Sequence, residues 1–246
     1  MLSKHRSFFI LAILLSLSLV LPRASFAAPA PSMAILSPGS GSVVISPIPV
    51  SALVQPGADG LIRVTLTDQA NRTVSRQLIR VDSAGEEEIS LESQLLFEIP
   101  YPGLEGLLTL STQDEFHRPL AQRSVLLTLN ASGETEMQPN PVSGQWLDIN
   151  SPAPGATLSG GSFTIEGSIT PATSHPVRFE LITDSGGQIG SAQLAVGEPG
   201  QTVHFTVTIS YGFISTERDV RLVIRQTLPD YTANLLLDSI PLTLAP

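Results

Sequence analysis

The 246-residue sequence contains no cysteine. No disulfide can therefore staple the fold, and each folded unit has to be stable through its own apolar core. The same absence leaves no cysteine behind the N-terminal segment that could accept a lipid anchor.

Lysine and histidine are scarce, which excludes several kinds of chemistry. Lys4 is the only lysine, so no phosphate-binding G-x-x-x-x-G-K-[ST] loop is possible after it. His117, His175 and His204 show no spacing typical of a zinc site, and no G-x-S-x-G nucleophile elbow is present. We therefore expect no catalytic residue, no cofactor site and no metal site, and predict that the protein is not an enzyme.

Positive charge is also in short supply. The whole chain has 13 basic and 22 acidic residues. Without residues 1–27 it loses Lys4, Arg6 and Arg23, which leaves 10 basic residues and a net charge of −12. Such a balance repels polyphosphate, so we expect no nucleic-acid partner and no binding to anionic membrane surfaces.

The only long apolar run is at the N-terminus. Lys4 and Arg6 precede an apolar run from Phe8 to Val20, and small residues at 25 and 27 form a cleavage site before Ala28. This layout is typical of a secretory signal peptide over residues 1–27. The run has about 13 residues, against roughly 20 for a membrane-spanning helix. We expect an extracytoplasmic protein without a later transmembrane segment; an uncleaved anchor is the alternative.

The rest of the sequence contains one pattern twice. The segment Ile35–Val44 matches Ile149–Leu158 at a shift of 114 residues, and Val125–Leu129 matches Ile240–Leu244 at a shift of 115. A steady shift with small insertions indicates the duplication of a unit of domain size. We predict a first domain over residues 33–129, a linker over 130–145 and a second domain over 146–246.

Apolar residues recur with a period of two inside each copy. The clearest alternation runs from Val203 to Phe213, and similar ones occupy Ile62–Leu66, Leu95–Tyr101 and Val177–Leu181. This period is typical of half-buried strands, and about seven of them per copy predict a β-sandwich. The expected fold is all-β, with two tandem immunoglobulin-like antiparallel β-sandwiches joined by a short linker.

The openings of the two copies resemble a known family. Ile149–Ala156 followed by Phe163–Gly167 is similar to the start of the bacterial immunoglobulin-like domain associated with spore-germination proteins, and Val177–Leu181 with Asp184 echoes its next hairpin. Ala52 stands in the first copy where that family usually has glycine. The resemblance implies an extracytoplasmic, non-enzymatic bacterial module.

Three groups of side chains are candidates for binding. Asp82 with Glu86, Glu87 and Glu88 offers carboxylates to calcium, although solvated surface acids are the simpler interpretation. Three arginines suggest an anion-binding stripe or protected strand edges; they are Arg63, Arg76 and Arg80. Trp146 is expected at the domain junction or at the start of the first strand of the second copy, and a glycan contact is the alternative.

These observations favour a binding or scaffold protein over a catalyst. We expect an exported protein of the bacterial cell envelope or exterior that contacts an unidentified protein or envelope component through strand edges and loops. The alternative is a carbohydrate-binding module or an accessory domain protein that acts on cell-wall or extracellular glycan. The aromatic content of 5% speaks against a carbohydrate-binding module.

Overall fold

The computed structural model describes residues 33–82, 87–140, 145–229, 231 and 233–246. These residues form sixteen β-strands and contain no helix, so none of them could cross a bilayer in helical form. The expectation of an all-β fold is confirmed. The predicted signal peptide and Glu86 lie outside the described residues.

Eight strands belong to each half of the chain. The first half contains β1 (Met33–Ser37), β2 (Ser42–Ile45), β3 (Ile48–Val54), β4 (Leu61–Asp68), β5 (Thr73–Arg80), β6 (Ile89–Leu95), β7 (Leu104–Gln113) and β8 (Pro119–Asn130). The second half contains β9 (Leu147–Ser151), β10 (Thr157–Leu158), β11 (Ser162–Ile169), β12 (Val177–Thr183), β13 (Gln188–Leu194), β14 (Val203–Ser210), β15 (Arg218–Thr227) and β16 (Asn234–Leu244).

The two halves pair their strands in the same order. In the first sandwich (β1–β8) the sheet β1-β3-β6 is accompanied by β5-β4-β7-β8, and β2 runs parallel to β8. In the second sandwich (β9–β16) the sheets are β9-β11-β14 and β13-β12-β15-β16, and β10 runs parallel to β16. The short β2 and β10 raise the strand count above the seven expected. The shared order supports two immunoglobulin-like sandwiches.

Alternating side chains fill one core in each sandwich. On β4, Ile62, Val64 and Leu66 are fully buried, while the residues between them face outward. In the second core the rings of Phe179 and Phe205 pack with centroids 5.3 Å apart. Fully burying one such side chain stabilises by about 1.5–3 kcal/mol, so a core of this kind stabilises each sandwich without a disulfide.

Two of the alternating runs end earlier than the sequence pattern predicts. β14 stops at Ser210, because Gly212 adopts φ +77° and turns the chain out of the sheet, which leaves Phe213 89% exposed. β6 stops at Leu95, ahead of Pro100. Because proline has no backbone N–H to donate to a neighbouring strand, the strand does not continue through it, and Tyr101 is 54% exposed. The prediction of strands through Phe213 and Tyr101 is wrong.

Part of the predicted linker lies against the first sandwich. Glu136 and Val43 exchange two backbone hydrogen bonds of 2.8 and 2.9 Å, and the Gly39 N–H donates to the Gln138 carbonyl at 3.0 Å. This segment therefore covers the outer edge of β2. The domain boundaries at residues 129 and 146 stay a prediction.

Gly167 provides a test of the strand packing in the second sandwich. It lies where the pairing of β11 with β9 shifts register, and an added Cβ would sit 2.1 Å from the Asp148 carbonyl oxygen. Gly167→Ala forces the two backbones apart, so we expect a loss of about 1–3 kcal/mol in the free energy of unfolding. Urea denaturation measures the loss. At Gly197 an added Cβ meets nothing within 4 Å, and equal losses for Gly197→Ala and Gly167→Ala would contradict the packing.

Asp68 provides a pH-dependent test of the β4–β5 turn. Its two carboxylate oxygens accept the Arg72 backbone N–H at 2.9 Å and the Arg72 Nε–H at 2.7 Å. The backbone hydrogen bond first, and then the guanidinium, lower the pKa of Asp68 below its ordinary 3.8. The resulting stabilisation is complete above pH 3.8 and is lost as the pH falls through the lower folded-state pKa.

We therefore expect the difference in unfolding free energy between wild type and Asp68→Asn to shrink as the pH falls. Urea titrations of both proteins across this range measure that difference. A difference that stays constant or grows toward acid would show that the carboxylate is not stabilised in the folded state.

Candidate functional site

The two sandwiches join through their last strands. β8 and β16 pair antiparallel, with Ala121 opposite Asp238, Gln122 opposite Leu237 and Arg123 opposite Leu236. The four-stranded sheets of the two halves thereby become one sheet of ten strands, including β2 and β10. We call this strand pair, together with the β7–β8 and β15–β16 turns beside it, the junction.

The junction has a local two-fold symmetry in sequence. At the shift of 115 residues, Gln122 corresponds to Leu237, and these two residues lie directly opposite each other. A local two-fold axis therefore lies between Gln122 and Leu237. Arg123 corresponds to Asp238, so the two copies carry opposite charges at equivalent positions on either side of this axis. The two sandwiches therefore meet through equivalent edges.

A buried ion pair lies at this axis. The Arg123 Nη1–H and Nη2–H donate to the two carboxylate oxygens of Asp238 at 3.0 and 2.9 Å. The Trp146 indole N–H also donates to Asp238, and Trp146 is only 5% exposed. Trp146 thus lies at the junction, as expected, and is too buried to stack on a glycan.

Burial determines the electrostatics of Asp238. Removal from water raises the pKa of its carboxyl, while Arg123 and the Trp146 N–H act in the opposite direction. Bidentate contact and a third donor satisfy the carboxylate. Loss of one partner from such a buried pair leaves an uncompensated charge.

The β7–β8 turn contributes a second ionic contact. Asp114 accepts the Arg118 Nε–H at 2.7 Å within the turn and the Arg221 Nε–H of β15 at 3.2 Å. Burial first, and then repulsion by Arg118, lower the pKa of Arg221, whereas Asp114 opposes both. The Arg221 Nη1–H donates at 3.0 Å to Ser239 Oγ, which in turn donates to the Leu120 carbonyl at 2.9 Å.

The β15–β16 side of the junction holds the first sandwich in a similar way. The Asn234 carbonyl accepts hydrogen bonds of 2.8 Å from Gln122 Nε2 and from Ser124 Oγ. The Tyr231 hydroxyl donates to the Glu105 carboxylate. Each half therefore contributes a turn that contacts the other half.

Apolar side chains outside the two cores are buried as well. Leu107 and Val223 face away from their own cores, because they neighbour the core residues Leu108 and Leu222, yet they are 0% and 2% exposed. Five buried apolar residues lie outside both core clusters; they are Leu107, Leu120, Val223, Leu228 and Leu237. The outward faces of both sheets are thus partly covered.

The three histidines lie apart from one another in the fold. His117 is exposed in the β7–β8 turn, His175 lies before β12, and His204 is exposed on β14. No group of three or more acidic or histidine side chains suited to a metal occurs in the described ranges. Because Glu86 is outside those ranges, the calcium hypothesis at Asp82 and Glu86–Glu88 is not tested.

The arginines of the predicted stripe lie together, although one of them has a partner. Arg63 is opposite Leu78 on the neighbouring strand, with Arg76 and Arg80 two residues to either side. Arg63 donates to Asp59 at 2.6 Å. Its charge is therefore compensated within the β3–β4 region.

Exposed apolar side chains occur where each chain half passes from its three-stranded to its four-stranded sheet. Leu96 and Tyr101 on the β6–β7 connection are 71% and 54% exposed, and Phe213 on the β14–β15 connection is 89% exposed. These outer connections lead into Leu104 and Arg218, at the strand ends remote from the junction. Because β8 and β16 are antiparallel, the two outer connections lie at opposite ends of the shared sheet.

The residues of the ion pair belong to no catalytic motif, yet their positions in the sequence carry a signal. Arg123 lies in the alternating series of β8 residues that faces the core, between Ala121 and Val125. Asp238 lies in the core-facing series of β16. A charged residue at such a position in each copy, with opposite sign, indicates a buried pair between the copies.

Comparisons with known proteins leave the family open. No family model and no curated protein matches the chain. The immunoglobulin-like fold named in the resemblance is supported by the strand order, whereas nothing found supports a link with spore germination.

Several solved structures show a weak similarity to the chain. The fibronectin(III)-like modules of Clostridium thermocellum CbhA are 12% identical over 87% of this chain and 93% of theirs, with a TM-score of 0.26. Dimeric latent PorU from Porphyromonas gingivalis is 9% identical over 88% of this chain and 24% of its own, with a TM-score of 0.26. The ICAM-5 D1–D4 ectodomain fragment is 14% identical over 89% of this chain and 54% of the fragment, with a TM-score of 0.25. Similarities of this size carry no conclusion about function.

Removal of Arg123 tests the contribution of the buried pair. Arg123→Met leaves Asp238 buried without its counter-charge, so we expect the free energy of unfolding to fall by about 3–5 kcal/mol. Arg123→Met/Asp238→Asn should recover part of this loss, because a neutral amide is cheaper to bury and still accepts from Trp146. Urea denaturation followed by the fluorescence of Trp146, the only tryptophan, measures both.

Arg76→Met is the matched control for this test. Arg76 is exposed on β5, and its substitution should change the free energy of unfolding by no more than about 0.5 kcal/mol. Equal effects at Arg76 and Arg123 would show that the ion pair does not stabilise the fold.

Proposed function

We propose that the protein is an exported, non-catalytic binding or scaffold protein of the bacterial cell envelope or exterior, and that it acts as a rigid spacer with two binding ends. The junction carries this proposal. A paired strand, two buried ionic contacts and the hydrogen bonds of Asn234 to Gln122 and Ser124 hold the sandwiches in one fixed arrangement. Independent modules on a loose linker would need none of these contacts.

The two outer connections supply the binding surfaces of the proposal. Large apolar side chains exposed to this degree have no role in either core, and aromatic residues are enriched at protein interfaces. From Gln122 to Leu129 and from Leu237 to Leu244 the strands extend in opposite directions. At about 3.4 Å per residue, the two ends are separated by roughly 50 Å along the sheet.

The export part of the proposal rests on the sequence. The charged start, the apolar run from Phe8 to Val20 and the small residues before Ala28 have the layout of a cleaved leader. The resemblance to an extracytoplasmic bacterial domain agrees with this. Expression in a bacterial host, fractionation and N-terminal sequencing test it, with the mature protein expected outside the cytoplasm and beginning at Ala28.

Glycan binding is a second candidate, favoured by exposed aromatic rings. Trp146 does not serve it, since its ring is buried against Asp238. Tyr101 and Phe213 are the exposed rings on the outer connections and would stack on sugars. Substitution of these two rings tests both functions, because the envelope fraction that binds, protein or glycan, decides between them.

Substitution of the exposed rings tests the binding ends. We expect Tyr101→Ser/Phe213→Ser to lower affinity for the native envelope at least tenfold, and each single variant to keep binding through the other end. Binding to separated envelope protein and envelope glycan fractions, measured by biolayer interferometry, identifies the ligand class.

Leu78→Ser is the control for this experiment, because Leu78 is also 55% exposed but lies on β5 and belongs to neither outer connection. It should leave binding unchanged. Unchanged binding of the double variant would overturn the proposed ends, and a bound glycan fraction with no bound protein fraction would favour the second candidate.

A further inference from the structure

The junction carries a device that selects which strand edges pair. We propose that Arg123 and Asp238 are specificity-determining residues, which make a first sandwich pair with a second sandwich and prevent two like sandwiches, from two copies of this chain, from pairing through the same edge. This inference does not depend on the proposed function, because it concerns recognition between the two halves.

The backbone alone does not distinguish the possible pairings. Ala121–Arg123 and Leu236–Asp238 occupy equivalent positions of equivalent strands and pair around an axis between Gln122 and Leu237. Two copies of β8, or two copies of β16, would form the same antiparallel ladder. Selection between these pairings must therefore come from side chains.

Charge at the axis supplies that selection. In the observed pairing, Arg123 meets Asp238 at 2.9 Å, with 14% and 9% of their side chains exposed. A pair of first sandwiches would place Arg123 against a second Arg123, and a pair of second sandwiches would place Asp238 against a second Asp238. Like charges in a buried site repel strongly and have no counter-charge, so both pairings are disfavoured.

Trp146 makes the selection directional. Its indole N–H is a donor only, and it donates to Asp238 from the segment just before β9. A carboxylate is therefore satisfied on the side of the second sandwich, where an arginine would leave the indole without an acceptor. Arg123 also donates to the Leu237 carbonyl at 2.9 Å, a contact across the strand pair.

Charge-reversed chains test the proposal in the full-length protein. The first variant, Arg123→Asp, carries aspartate at both axis positions, and the second, Asp238→Arg, carries arginine at both. Neither should close its own junction. We expect each alone to be monomeric and to show at least a twofold rise in acrylamide quenching of Trp146 fluorescence.

An equimolar mixture of the two variants should form a heterodimer. The Arg123 of one chain then meets the Asp238 of the other, which restores a native junction between chains. Sedimentation velocity should show a species of twice the monomer mass in the mixture only. A mixture of Arg76→Asp with Asp238→Arg is the matched control and should stay monomeric, because Arg76 lies on β5 at the other edge of the sheet.

The charge swap within one chain keeps the test decisive if a single variant folds poorly. Arg123→Asp/Asp238→Arg shares the Trp146 surroundings of Asp238→Arg but restores opposite charges. Its Trp146 quenching should lie closer to wild type than that of Asp238→Arg. The proposal is overturned if the swap gives no recovery, if the mixture forms no heterodimer, or if a single variant dimerises with itself as readily as the mixture does.

Discussion

The antiparallel contact between β8 and β16 is the interaction on which the arrangement of this protein depends. Outside the short stretches that pair with β2 and β10, each strand would otherwise present a free sheet edge, and a free edge is a template for uncontrolled pairing. Pairing the two edges removes this hazard in both halves at once. The Arg123–Asp238 pair adds side-chain selectivity to a backbone contact that has none.

The junction also explains how a chain without cysteine holds two sandwiches together. Leu107 and Val223 face outward from their own cores and yet are buried, so apolar area outside the two cores is also removed from water. Asp114 and Arg221 link the β7–β8 turn to the second sandwich from one side. Ordering two small domains relative to each other thus relies on packing and ion pairs in place of a covalent link.

Local patterns predicted the strands well, because alternation and duplication are properties of neighbouring residues. They failed at Tyr101 and Phe213, where the apolar alternation continues although the strand has ended. The first strand ends before Pro100, and the second leaves the sheet at Gly212. Those failures coincide with the exposed side chains proposed to bind a partner.

The alternation of apolar residues could not predict the junction. Residues 123 and 238 are far apart in sequence, and the pairing of two edges depends on how whole sandwiches meet. The burial of Trp146 at a domain boundary was expected, whereas its partner Asp238 was not. The one local signal of this contact was a charged residue at a core-facing position in each copy. The opposite charges of the two residues indicate that they attract each other.

An engineered disulfide across the axis tests the central claim most directly. Gln122 and Leu237 are directly opposed, at the roughly 4.5–5.5 Å Cα separation of antiparallel pairs, which suits a disulfide. In this cysteine-free chain, Gln122→Cys/Leu237→Cys should oxidise completely to an intrachain disulfide, seen as a faster-migrating monomer on a non-reducing gel. Ala121→Cys/Leu237→Cys, with side chains on opposite faces of the sheet, should stay reduced. Equal oxidation of both pairs, or disulfides formed only between chains, would contradict the account.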